Sequence, residues 1–208
     1  MSRLRLIAGP NGSGKTTLTD ELRQTYNVPL GQYTNPDEIE KSLVDAVKNK
    51  LKRSQLAQKI SKDQRESWLK QGIAHSYESV MSHSSHLDYI NDANELGFKT
   101  YLYYVCIDDP EINLDRVDER IQSGGHPVPK QKILARYQRS LTQLYDMAIL
   151  CRRVYFFDNT NQLTPFAEVS INGMLDIKEK AYYKLEPNWF REHVLKKWDK
   201  TKIRIIRD

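Results

Sequence analysis

The sequence has few cysteines and no long apolar run. Cys106 and Cys151 are its two cysteines, which excludes a disulfide framework and suits free thiols in a reducing cytosol. No hydrophobic run approaches the roughly 20 residues that a membrane span needs, and the first residues lack the apolar core of a signal peptide. We therefore expect a cytoplasmic protein without a membrane-spanning segment.

The sequence also lacks a large excess of charge of either sign. The chain has 208 residues and a net charge of +5, a mild excess that does not indicate a dedicated DNA-binding surface. Residues 175–208 hold ten basic and six acidic side chains, so most of the excess lies in the tail. The length suits one compact α/β domain with a small appendage.

Strand-like and helix-like segments alternate, which predicts an α/β fold with a mostly parallel sheet flanked by helices. We predict strands at residues 3–8, 99–107 and 153–157, and helices at residues 15–26, from 35, within 42–71, and at 87–96, 110–122 and 131–150. The predicted core is residues 1–160, with a helical lid near 116–139. Residues 161–208 are predicted to form a hairpin of strands 166–172 and 174–183 and, from Pro187, a basic helical extension, packed on the core.

Glycine is scarce and clustered: five of the nine glycines lie in two short loops. The first loop fits the pattern G-x-x-x-x-G-K-[ST], in which backbone N–H groups and the next helix N-terminus surround a phosphate. It consists of Gly9, Pro10, Asn11, Gly12, Ser13, Gly14, Lys15 and Thr16, followed by Thr17. The Lys15 ammonium suits the β- and γ-phosphates and the Thr16 hydroxyl suits Mg²⁺. An ordinary glycine-rich turn is the alternative.

The remaining motifs narrow the reaction class. The Asn-Lys-x-Asp motif of GTPases does not occur in the sequence, and 208 residues leave no room for a second large motor-type domain. A small kinase that transfers a phosphoryl group from ATP fits the size. Such an enzyme needs a base near the acceptor hydroxyl and cations around the transferred group.

Two carboxylates are candidates for the acceptor side. Asp37 could accept the proton of an acceptor hydroxyl, or it could simply favour the dipole in the first turn of a helix capped by Asn35. Glu78, in the polar segment 76–79, could bind substrate hydroxyls or hydrated Mg²⁺, although surface solvation is the simpler interpretation. His75, His83 and His86 lack a known metal-ligand spacing, and we expect ordinary surface histidines.

The second glycine loop, residues 124–129, is flanked by arginines. Arg116 and Arg120 precede it on one helix face, and Arg136 and Arg139 follow it. Such a loop could close over ATP and neutralise the moving phosphoryl group. The alternative is a solvated ion-pair network with Asp115, Asp118 and Glu119.

Five segments together resemble the zeta toxin family of P-loop kinases. They are Ala-Gly-Pro-Asn-Gly-Ser-Gly-Lys-Thr-Thr (8–17), Asn-Pro-Asp-Glu-Ile (35–39), Tyr-Glu-Ser-Val-Met-Ser (77–82), Gly-Gly-His-Pro-Val-Pro (124–129) and Phe-Asp-Asn-Thr (157–160). The likeness covers about residues 3–160, and the compact lid is similar to a chromosomal-type branch.

The resemblance implies a P-loop kinase sheet with a helical lid, ATP and Mg²⁺ as cofactors, and UDP-N-acetylglucosamine as the hydroxyl acceptor of characterised members. Asp37 matches the catalytic base, and Glu78 and neighbouring Ser79 match the substrate side. Arg120 and Arg136 match the arginines that bridge the phosphates. An antitoxin-like protein partner is also implied.

Two further functions stay open from the sequence. A nucleic-acid-end kinase could use the basic tail with Tyr182, Tyr183, Trp189 and Trp198 to stack single strands, although we favour packing of these aromatics on the core. A regulatory module that binds ATP without transferring phosphate is the other.

Overall fold

The computed structural model describes residues 1–122 and 128–207, with the Arg120 side chain outside that description. Its strands join in one sheet of order β2-β3-β1-β4-β5-β6-β7-β8. The strands are β1 (Arg3–Ala8), β2 (Gln32–Thr34), β3 (His75–Ser79), β4 (Lys99–Cys106), β5 (Arg153–Asp158), β6 (Thr164–Val169), β7 (Leu175–Lys178) and β8 (Ile203–Ile206). Strands β1 to β5 pair in parallel, β6 runs antiparallel to both neighbours, and β7 and β8 are parallel.

Helices cover both faces of the sheet. They are α1 (Lys15–Gln24), α2 (Pro36–Ser42), α3 (Lys50–Lys70), α4 (Ser85–Glu95), α5 (Pro110–Gln122), α6 (Lys130–Thr142), α7 (Leu144–Leu150), α8 (Glu179–Leu185) and α9 (Asn188–His193). Alternation along β1 sends Leu4 and Leu6 into the large cluster under α3, α4, α7 and α9, while Ile7 packs with Leu18 and Leu22 of α1. The predicted α/β class with a mostly parallel sheet is confirmed.

Several element predictions need correction. The polar segment 76–79 is the buried strand β3, and His75 at its start is fully buried rather than on the surface. The predicted helix 131–150 is two helices, because the chain turns at Gln143 and the apolar face of α7 packs into the large cluster.

The tail also differs from its prediction. The second hairpin strand ends at Lys178, where α8 begins with Glu179 in its first turn, a position that favours an acidic side chain. The helix after Pro187 is only six residues long. The last strand, β8, follows and pairs in parallel with β7.

Candidate functional site

The phosphate-loop segment connects β1 to α1 at the carboxyl end of the parallel strands. Gly14 caps α1 with a left-handed backbone (φ 95°), which glycine adopts without a Cβ penalty. A Cβ at Gly14 would lie 2.2 Å from Asn159 Nδ2, and one at Gly12 (φ 76°) would lie 2.5 Å from the carbonyl oxygen of Asn113. Neighbouring elements therefore approach this loop so closely that glycine is required.

Two asparagines brace the loop backbone. Asn113 Nδ2, on α5, donates to the carbonyl oxygen of Asn11 over 2.6 Å. Asn159 Nδ2, just after β5, donates to that of Ser13 over 3.0 Å. Both bonds are accepted by carbonyl oxygens of the loop, so neither occupies a loop N–H group.

Lys15 lies folded over the loop. Its Nζ donates to the carbonyl oxygens of Gly9 (3.0 Å) and Pro10 (2.9 Å). Thr16 and Thr17 follow in the first turn of α1, where both are exposed. The ammonium and the Thr16 hydroxyl therefore lie on adjacent residues at the positive end of a helix dipole.

A cavity of about 920 Å³ opens beside this loop. Its lining brings together seven of the predicted site residues, of which five come from α1, α2, β3 and α6: Lys15, Asp37, Glu78, Ser79 and Arg136. The other two, Asn11 and Gly12, belong to the phosphate loop. A cavity of this volume is typical of sites that bind small molecules. In open α/β sheets such sites usually lie at the carboxyl ends of the parallel strands.

Asp37 lies both in a helix first turn and at the cavity. It is an exposed residue in the first turn of α2, and its side chain belongs to the cavity lining. Arg136 faces it across the cavity: burial and the nearby Arg139 lower the pKa of Arg136, while the charge of Asp37 opposes that shift. The cavity thus places a carboxylate and a guanidinium together.

Glu78 is buried, so solvation at the surface is the wrong interpretation of this residue. It is 5% exposed at the end of β3, and its carboxylate accepts three hydrogen bonds from Thr19 (2.5 Å), Tyr33 (2.7 Å) and Asn35 (3.0 Å). Burial, reinforced by the adjacent Glu78 charge, raises the pKa of Tyr33, which keeps its hydroxyl protonated as a donor.

Ser79 and His86 form a pair at the same wall. Ser79 Oγ lies 2.8 Å from His86 Nε2 and accepts from the Met81 amide over 3.0 Å. Burial, together with the positive charges of Arg65 and His83, lowers the pKa of His86 to about 4. Residues 1–122 and 128–207 contain no group of three side chains suited to hold a metal by themselves.

The predicted lid falls partly outside the described residues, since these omit 123–127, including the paired glycines, and the Arg120 side chain. The flanking helices α5 and α6 pack through Leu114, Val117 and Ile133. Arg116 donates to the carbonyl oxygen of Thr160 over 3.2 Å, and Arg139 to that of Ser82 over 3.2 Å.

Aromatic residues of the tail mostly pack inward. Trp189 is 2% exposed and Trp198 is 7% exposed, and both belong to the large core cluster. Tyr183 is 60% exposed. This arrangement follows the packing alternative and leaves little stacking surface for single-stranded nucleic acid. In the described part of the chain, no helix combines the length and apolar character needed to cross a membrane.

No family model matches the sequence. An uncharacterised protein of Haemophilus influenzae is 29% identical over 134 residues, which cover 62% of this chain and 88% of that protein. Among solved structures, a chain of the AvrRxo1-ORF1:-ORF2 complex with ATP superimposes with a TM-score of 0.66 at 19% identity, covering 89% of this chain and 63% of that one. A structure from the PezAT chromosomal toxin-antitoxin system of Streptococcus pneumoniae gives a TM-score of 0.55 at 12% identity, covering 97% and 82%.

The chain has a zeta-toxin-like P-loop kinase fold. The fold implied by the resemblance is thus confirmed, and the chain spans less than two thirds of the AvrRxo1-complex chain it matches.

The sequence alone does not indicate several residues that hold this candidate site together. Thr19, Tyr33 and Asn113 carried no motif signal, because their partners lie far away along the chain. The sequence indicates Asn35 as a helix cap within segment 35–39, and Asn159 as a member of segment 157–160. Their side-chain contacts depend on the assembled sheet.

Proposed function

We propose that this protein is an ATP-dependent phosphotransferase that moves the γ-phosphoryl group to a hydroxyl of a small molecule. The observation that carries the proposal is the shared cavity of Lys15, Asp37 and Arg136 beside the phosphate loop. Positioning and charge stabilisation are what phosphoryl transfer requires from a protein.

ATP is the proposed donor, bound by the phosphate loop of residues 9–17 and by the backbone N–H groups at the N-terminus of α1. The AvrRxo1 complex, one chain of which has a similar fold, was crystallised with ATP. Mg²⁺ fits as a companion of the nucleotide: Thr16 offers one exposed hydroxyl, and Mg²⁺ commonly takes its other ligands from phosphates and water. It would neutralise phosphate charge there.

Asp37 is the proposed base. It orients the acceptor hydroxyl and takes its proton as the oxygen attacks the γ-phosphorus, and the bond to the β-phosphate oxygen breaks to release ADP. Lys15 leaves the carbonyl oxygens that it now contacts and binds the β- and γ-phosphates. Arg136, with Arg120 from α5, stabilises charge on the phosphoryl group in transfer.

A nucleotide sugar such as UDP-N-acetylglucosamine is the first acceptor to test, because the family resemblance implies it. A protein partner of antitoxin type is proposed on the same ground. The PezAT structure belongs to a toxin-antitoxin system and the AvrRxo1 structure is a two-protein complex. Growth arrest on expression of the wild-type chain, but not of Asp37→Asn, would support a toxin role.

The deciding experiment incubates ATP labelled at the γ-phosphate with a small-molecule extract and the protein. We expect a labelled product from the wild type and from Asp45→Asn, which alters an exposed carboxylate outside the cavity lining. Asp37→Asn should bind ATP normally yet form about 100-fold less product, and Lys15→Ala should lose both. Normal ATP binding by the wild type without any labelled product would favour the regulatory module instead.

A further inference from the structure

The buried carboxylate of Glu78 joins three elements of the site. Oε1 accepts from Thr19 on α1, the helix that follows the phosphate loop, and from Tyr33 on β2. Oε2 accepts from Asn35, the residue that caps α2. With both oxygens already hydrogen-bonded inside the protein, this carboxylate is better suited to fix the walls of the cavity than to bind substrate.

Asn35 uses both ends of its amide. Its Oδ1 accepts from the backbone N–H of Asp37 over 2.9 Å, and its Nδ2 donates to Glu78 Oε2 over 3.0 Å. The residue is 5% exposed, so water does not readily replace either bond. A continuous path of hydrogen bonds therefore runs from α1 through Thr19, Glu78 and Asn35 to the backbone of the proposed base.

Capping alone does not explain the choice of asparagine. Ser and Asp cap helix N-termini about as well, since a cap needs only an acceptor oxygen. Neither supplies an amide donor to a carboxylate on the opposite side, and Asp would place a second negative charge beside Glu78. Capping of α2 uses only the Oδ1 acceptor of Asn35. The Nδ2 donor is not needed for capping, and it binds Glu78.

We propose that Asn35 and Glu78 are positioning residues, which hold Asp37 at a fixed place relative to the phosphate loop by tying α2 to α1. The inference rests on the proposed function, because Asp37 is the base of that reaction. Small misplacements of a reacting group cost up to about 100-fold in rate, so loss of the tie should reduce turnover while leaving nucleotide binding intact.

Asn35→Ser is the test variant and Asn49→Ser is its matched control. Asn49 caps α3 by accepting from the Lys52 amide over 3.0 Å at an exposed position, so the same substitution there removes no tie to Glu78. We expect Asn35→Ser to lower kcat for the labelled product roughly 10- to 100-fold, with ATP affinity within about twofold of the wild type. Asn49→Ser should match the wild type in both.

Epistasis separates positioning from a general structural effect. In an Asp37→Asn background, Asn35→Ser should cause no further loss of product. The effects of two substitutions are not additive when the two residues act as a unit. A multiplicative loss in that background, or wild-type kcat in Asn35→Ser, would overturn the proposal.

A second measurement does not depend on transfer. Binding of a non-hydrolysable ATP analogue should slow amide hydrogen exchange at the start of α2 in the wild type and in Asn49→Ser, but not in Asn35→Ser. If this coupling is present but no extract yields a labelled product, the proposed function fails and the tie between α1 and α2 stands. If the wild type binds the analogue without protecting α2, the positioning proposal itself is wrong.

Discussion

Asn159 and Ser13 are 146 positions apart in sequence, yet Asn159 Nδ2 donates to the carbonyl oxygen of Ser13 over 3.0 Å. The bond joins the end of β5 to the middle of the phosphate loop. The same Nδ2 is the atom that a Cβ at Gly14 would meet. The loop is thus shaped by the neighbouring strand end as well as by its own glycines.

Removal of this brace should weaken nucleotide binding. Asn159→Ala leaves the Ser13 carbonyl without its partner and frees the loop, and a lost hydrogen bond of this kind costs about 1 kcal/mol. We expect the Kd for Mg-ATP, measured by calorimetry, to rise about fivefold or more. Asn172→Ala in the exposed hairpin turn serves as the control, and equal Kd values for the two variants would contradict the role.

The sequence predicts the phosphate loop but not the asparagine side chains that hydrogen-bond to it. The phosphate loop is a local pattern, because spacing of glycines and position between strand and helix are visible in ten residues. The contacts of Asn113 and Asn159 are not local, since both depend on which strand ends meet at one edge of the sheet. The sequence indicates segment 157–160, which contains Asn159, but not its partner Ser13.

Strand β3 was missed for a related reason. His75, Ser76 and Glu78 are polar, and polarity predicts exposure when partners are unknown. In the structure His75 Nε2 bonds the Tyr89 hydroxyl (2.7 Å), Ser76 donates to the Leu30 carbonyl (2.5 Å) and Glu78 has three donors. These long-range bonds offset the cost of burial, and hydropathy alone does not reveal them.

Gly12→Ala should abolish nucleotide binding through a clash rather than through backbone preference alone. Gly12 and Gly72 have similar φ angles, 76° and 67°, but of the two only Gly12 would bring a Cβ against backbone, at 2.5 Å from the Asn113 carbonyl oxygen. A left-handed backbone costs an alanine roughly 1–2 kcal/mol at either position. At Gly12 the clash with Asn113 imposes a further cost, because either the phosphate loop or α5 must move to make room for the Cβ.

Thermal unfolding with and without Mg-ATP measures this difference. Gly72→Ala should lower Tm yet keep the increase in Tm that ligand binding gives to the wild type. Gly12→Ala should lower Tm further and lose that increase. If both variants kept the same increase in Tm on addition of Mg-ATP, the close approach of Asn113 to Gly12 would not matter for nucleotide binding.

The low pKa of His86 should make stability depend on acidity. Burial first, then Arg65 and His83, lower it from 6.5 to about 4. Between these values the unfolded chain binds a proton that the folded chain does not, so stability falls as pH decreases from about 6.5 to 4. Above pH 6.5 the His86 side chain is neutral in both states, so it makes stability independent of pH there. A shift of this size corresponds to about 3 kcal/mol at pH 4.

His86→Gln removes this titration and keeps a polar side chain near Ser79. Urea unfolding at several pH values should show a shallower loss of stability for the variant between pH 6.5 and 4. His75, whose pKa burial also lowers, remains in both proteins, so the difference between them isolates His86. Parallel curves for the two proteins would refute the assignment.

The last prediction concerns how the tail is held to the core. Trp189 Nε1 donates to Asp158 Oδ2 over 3.1 Å, and Asp158 is only 2% exposed. Trp189→Phe keeps most of the ring packing but leaves one oxygen of a buried carboxylate without a donor, which costs about 1–3 kcal/mol. Trp198→Phe is the matched control, because its indole donates over 3.3 Å to an uncharged acceptor, the partly buried carbonyl oxygen of Gly173.

Urea unfolding should therefore rank Trp189→Phe as clearly less stable than Trp198→Phe. Because Trp189 lies within the core cluster, neither substitution should change binding to a single-stranded oligonucleotide. Loss of oligonucleotide binding in Trp189→Phe without loss of stability would show that the indole serves a ligand rather than the core, and would return the nucleic-acid-end kinase to consideration.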